Sequence, residues 1–86
     1  MKAKILKTTG EVWEVEPNNK TDFSLKELQD IVGGYIEIVH LPNKECMVVN
    51  EDGVYMELPI NRKASNMYQR NVIVGDVLIC KSNQIL

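Results

Sequence analysis

Apolar and polar positions change their period along this chain, and each change marks an element. Residues 2–8 run Lys-Ala-Lys-Ile-Leu-Lys-Thr, and Val12-Trp13-Glu14-Val15-Glu16 follows Thr9-Gly10. Period-two alternation on both sides of a glycine predicts an opening β-hairpin with Thr9-Gly10-Glu11 in the connection. Pro17-Asn18-Asn19-Lys20 ends it as a loop. The spacing then turns helical, with Leu25, Leu28, Ile31 and Val32 on one face. Ser24 stands as N-cap and Glu27, three residues on, completes a capping box. Phe23 and Leu28 are placed for a hydrophobic staple. Gly33-Gly34 stops the helix, Gly33 in the left-handed conformation. A helix over 24–32 follows.

Beyond it the chain returns to strands. Tyr35 to Leu41 is one, ended by Pro42-Asn43. Cys46-Met47-Val48-Val49 is a second, and Val54-Tyr55-Met56-Glu57-Leu58 a third, with Asp52-Gly53 at the hairpin position between them. Asn61 caps a short polar helix from Arg62 to about Gln69, whose apolar side is Ala64, Met67 and Tyr68. Val72-Ile73-Val74 and Val77-Leu78-Ile79-Cys80 flank Gly75-Asp76, a tight turn or a bulge within one strand. The order ββ-α-ββ(β)-α-β points to an α+β fold with a mainly antiparallel sheet and two short helices. At 86 residues, one domain spanning 1–86 is expected, since two cores of half that size would need staples.

Charge changes the picture more by its placement than by its total. The net of −2 divides into three lysines without an acid over residues 1–10, a net of −8 over 11–60, and +3 over 61–86. An acidic middle lies between two basic ends. That charge disfavours nucleic acid as a partner, because phosphate-backbone affinity needs several cations acting together. No apolar run approaches a membrane span, and Met1-Lys2-Ala3-Lys4-Ile5-Leu6-Lys7 has no long apolar core of a secretory leader. A cytoplasmic chain without a membrane partner is expected, with Cys46 and Cys80 as core thiols.

Candidate chemistry is sparse. His40 is the one histidine and falls on a strand, away from either cysteine in sequence and with no Gly-x-Ser-x-Gly. One histidine, two distant cysteines and scattered carboxylates make no metal-ligand set, and Asn50-Glu51-Asp52-Gly53 reads as a turn, not as a calcium loop. No cofactor motif occurs, so no enzyme is expected.

The second helix breaks a rule. Arg62 and Lys63 fall in its first turn, where free backbone N–H groups already present positive charge. Two accounts remain open. The cations pair with Glu51, Asp52 or Glu57 of the same chain, or they form an anion site. In the second account Asn61, Arg62, Lys63 and Ser65, with Asn66, hold a phosphate, and Tyr68 and Arg70 extend the surface, Tyr68 by stacking.

Leu28-Gln29-x-x-Val32-Gly33-Gly34-Tyr35-Ile36-Glu37, Val49-Asn50-Glu51-Asp52-Gly53, Leu58-Pro59-x-Asn61-Arg62-x-Ala64 and Val74-Gly75-Asp76-Val77, in that order, resemble a family of small uncharacterised proteins of bacteriophages and bacterial mobile elements. The resemblance covers about residues 24–80. It implies an accessory protein of the bacterial host cytoplasm that acts on host defence. Among the matching positions, Asn50, Glu51, Asn61 and Arg62 are polar residues at element ends and are further site candidates. The expectation is a non-enzymatic, oligomeric binding module for a small anionic ligand such as a nucleotide signal. The alternatives are a module that blocks a host protein through its sheet edge or acidic middle and, least supported, a small enzyme.

Overall fold

The computed structural model describes residues 2–69 and 71–85. Its element order is β1 (Ala3–Leu6), β2 (Val12–Val15), α1 (Leu25–Val32), β3 (Ile36–Leu41), β4 (Glu45–Asn50), α2 (Arg62–Tyr68) and β5 (Val77–Lys81), closed by a 3₁₀ turn at Ser82–Gln84. The strands form one antiparallel sheet in the order β2-β1-β5-β4-β3. The fold is α+β, as the pattern implied.

The central strands explain their own sequences. β4 and β5 read as nearly unbroken apolar runs because both faces of the sheet are covered. Cys46, Val48, Leu78 and Cys80 point to one side, into a core with Ala3, Phe23, Leu28 and Val32 beneath α1. Met47, Val49, Val77 and Ile79 point to the other, against Leu6, Ala64 and Ile73 beneath α2. Leu78 is fully buried, and cutting such a side chain to alanine costs about 2–5 kcal/mol.

Local signals at α1 act as their chemistry requires. Ser24 Oγ accepts from Glu27 N at 3.2 Å, and Glu27 Oε1 accepts from Ser24 N at 2.9 Å. Phe23 and Leu28 are buried in the same cluster. Gly33 adopts φ 81° and donates its N–H to Gln29 O, a left-handed cap that side chains with a Cβ resist.

Two expected strands are absent. Residues 51–57 form consecutive turns instead of a strand over Val54–Leu58. The cause is twofold. Asn50 Oδ1 accepts from Asp52 N at 2.8 Å and curls the chain back, and the edge of β4 that a third meander strand would need is occupied by β5. Val72-Ile73-Val74 makes only an isolated bridge, Ile60 to Val74. Gly75, at φ 80°, lies in a bend before β5, so it is neither a hairpin turn between two strands nor a bulge within one.

Candidate functional site

The structure scatters the residues that the sequence grouped. Asn61 has no exposed surface. Its Nδ2 donates to Leu6 O at 2.8 Å and to Gly75 O at 2.9 Å, while Oδ1 accepts from Ala64 N at 3.1 Å. Both amide hydrogens and the cap acceptor are engaged in joining β1, α2 and the approach to β5, so Asn61 presents nothing to a ligand. Ser65 Oγ is likewise taken, donating to Ile73 O and accepting from Ile73 N. Asn50 is buried, donating to Val32 O at 3.1 Å besides shaping the turn at Asp52. These three are corrected from ligand contacts to ties within the fold.

Arg62 and Lys63 are exposed on α2. Among the described residues neither forms an ion pair with Glu51, Asp52 or Glu57; the pairs there are Lys2–Glu14, Lys7–Asp76, Lys26–Asp30 and Lys81–Glu45. Asn66 is also exposed. Arg70 lies outside the described residues.

Tyr68, half-buried against the core beneath α2, meets Asn50 and Glu51 in a groove of about 460 Å³. Its other walls include Glu37, Val39, Val54 and Val72. Two glutamates and an apolar lining suit an anion poorly, because like charge repels and, among the described residues, no cation lines the groove. The groove therefore does not complete the site expected around Arg62 and Lys63, which do not line it.

A different place gathers positive charge. An open cleft of about 840 Å³ is lined by Lys20, Thr21, Asn43, Lys44, Lys81, Ser82, Asn83 and Gln84. Three chain segments build it. The loop after β2 brings Lys20, at φ 70°, and the β3–β4 turn brings Asn43 and Lys44, at φ 64° and 60°. Thr21 comes from the same loop as Lys20, and the end of β5 with the 3₁₀ turn after it brings Lys81, Ser82, Asn83 and Gln84. Ser82 fastens two of these segments, donating from N and Oγ to Lys44 O at 2.8 and 3.0 Å. Phe23 N donates to Gln84 O and ties the third.

Lys81 pairs with Glu45 at 3.7 Å, and among the described residues Lys20 and Lys44 have no carboxylate partner. Among the described residues no acid lines the cleft. The ammonium groups and the Asn43 and Asn83 amides there can hold an anion by charge and hydrogen bonds, whereas the Thr21 and Ser82 hydroxyls already donate to Asn19 Oδ1 and Lys44 O. No aromatic ring lines it, so a base would not stack there.

Sequence reasoning missed this cleft because its lysines lie 24 and 37 residues apart, and only the pairing of β5 with β4 brings the last one in. The positive φ of Asn43 and Lys44 has no signal beyond the turn-forming Pro42-Asn43.

His40 is exposed on the outer strand β3. Cys46 and Cys80 are free, buried and 3.7 Å apart across β4 and β5. Among the described residues no group of three His, Cys, Asp or Glu side chains could hold a metal ion, and no helix is long and apolar enough to cross a membrane.

A family model described as a domain of unknown function, DUF3846, matches residues 1–84. No curated protein and no solved structure matches the chain.

Proposed function

We propose that this chain, which belongs to the DUF3846 family, is a non-enzymatic accessory protein of phage or mobile-element origin that binds a small anionic ligand such as a nucleotide signal in the bacterial cytoplasm. The observation that carries the proposal is the cleft with three lysines, Lys20, Lys44 and Lys81, and no acid among its lining residues. Glu45 already offsets Lys81, which leaves Lys20 and Lys44 as the cations that an anion would join. Because aromatic rings are absent from the cleft, phosphate or carboxylate groups supply the recognition, and the rest of the ligand stays open to solvent.

Isothermal titration calorimetry with inorganic pyrophosphate and with linear and cyclic nucleotides tests the site. The expected result is binding that weakens with salt. It should fall about tenfold or more when Lys20, Lys44 and Lys81 are together replaced by alanine. The Arg62→Ala, Lys63→Ala variant separates the two cationic surfaces and should bind like wild type. Binding indifferent to the triple replacement, or no binding by any of these anions, removes the proposal.

A second reading, a protein-interaction module that inhibits a host protein, rests on the turn region 51–57. Val54, Tyr55 and Met56 stand exposed in sequence, Tyr55 at 91%. Exposed aromatic and apolar groups of this kind are common anchors of protein contacts. Affinity capture from host lysate, compared between wild type and a Tyr55→Ser variant, distinguishes it. A specific partner lost with Tyr55 supports that reading, and an identical capture profile counts against it.

A further inference from the structure

We propose that two copies of this chain join through β3, extending the two sheets into one continuous antiparallel sheet about a two-fold axis at Ile38. β3 is an outer strand of the sheet and one of its two longest. Tyr35 O accepts from Glu51 N at 2.9 Å, and the register places Ile36 opposite Asn50. In an antiparallel ladder, hydrogen-bonding direction alternates along the strand. Residues 35, 37, 39 and 41 therefore turn their backbone groups to β4, and Ile36, Ile38 and His40 turn theirs outward. Among the described residues nothing bonds to those outward groups, and the strand carries no lysine, no proline and no bulge to blunt it.

The edge fits its own copy in one register. Pairing Ile36 with the partner's His40, Ile38 with the partner's Ile38, and His40 with the partner's Ile36 engages all three outward residues, with about six new backbone hydrogen bonds. A shift of two residues one way sets Glu37 directly against the partner's Glu37, which repels. The opposite shift sets Ile36 against the partner's Pro42, which has no N–H to give. In the favoured register Glu37 lies opposite Val39, and Ile38, now 37% exposed, is covered by its counterpart. The other outer strand, β2, is shorter, and Glu11, Glu14 and Glu16 crowd it, so self-pairing there brings like charges together.

Sedimentation equilibrium and light scattering of the full chain test the dimer. Wild type at about 100 µM should show twice the mass of one chain, and the Ile38→Lys variant should show the mass of one. Cysteine variants fix the register independently of that variant's stability. Under mild oxidation Ile38→Cys should crosslink, because facing Cα atoms about 5.5 Å apart suit a disulfide, while Val39→Cys should not. The native Cys46 and Cys80 are buried and do not compete. A wild type that stays monomeric, an Ile38→Lys variant that stays dimeric, or crosslinking through position 39 in place of 38 would each overturn the proposal. These outcomes are independent of whether the lysine cleft binds an anion.

Discussion

Replacing Asn61 by alanine should come close to unfolding the protein. The side chain is completely buried and makes three hydrogen bonds, to Leu6 O, Gly75 O and Ala64 N. Alanine leaves two carbonyls and one N–H without these partners. Each such group costs about 1–3 kcal/mol when it is shut away from water. Loss of a helix cap alone costs about 0.5–2 kcal/mol. Because the three bonds belong to one network and do not add simply, about 3–6 kcal/mol is a reasonable total. A chain of this size has roughly 4–13 kcal/mol of stability in all. Urea denaturation followed by circular dichroism measures the loss directly.

Asn61→Asp adds a sign to the experiment. Its carboxylate keeps the cap acceptor but faces two carbonyl oxygens, so the folded state favours the protonated acid. The folded pKa then lies above the unfolded one. The variant's stability deficit is smallest at acid pH and grows as pH rises through the folded value. A loss below about 1 kcal/mol for Asn61→Ala, or an Asp variant with no recovery on acidification relative to wild type, would refute the role of Asn61 as the tie between β1, α2 and β5.

Three further outcomes follow from the same structure. Burial, and then the neighbouring Cys46 thiol, push Cys80 up to about 12, and burial also raises Cys46; an aromatic disulfide reagent should label native protein far more slowly than urea-unfolded protein, and equal rates would contradict the burial of both thiols. The backbone N–H of Ser24 first, and that of Asn18 second, hold the Glu27 carboxyl below its ordinary 4.5; its contribution is complete above that value and lost as pH falls through the lower folded value, so Glu27→Gln should flatten the acid limb of stability between about pH 5 and pH 2, and parallel limbs in urea melts would count against the capping box. Gly75→Ala should destabilise by about 1–3 kcal/mol, because φ is +80° and an added Cβ would lie 2.8 Å from Leu58 Cδ1; an unchanged melting temperature would contradict that close approach.

What the sequence revealed depended on how local the determining contacts were. α1 was readable almost to the residue, since Ser24, Glu27, Phe23, Leu28 and Gly33 lie within eleven positions and act on one another. The β1–β2 hairpin was readable for the same reason. Val54–Leu58 carries strand-like residues, yet a strand needs an edge to pair with, and the edge of β4 is claimed by residues about thirty positions later. Asn61 was readable as a cap, but not as a tie to Leu6, 55 residues away. The lysine cleft was invisible for a related reason: each of its walls is an ordinary loop, and only the closed sheet sets them face to face.

The central place of β5 bears on how the molecule is made. β1 and β4 each bond to β5 and not to one another, so until residues 77–81 are available the β1–β2 hairpin and the β3–β4 hairpin are two separate pieces with their apolar faces open. A ribosome-bound chain that stops short of Val77 has no sheet to complete and both cores exposed. Folding of this domain therefore waits for residues 77–81, which join the two hairpins into one sheet. Synthesis of stalled chains should give protease-sensitive products until β5 emerges, and resistance should then appear in a single step.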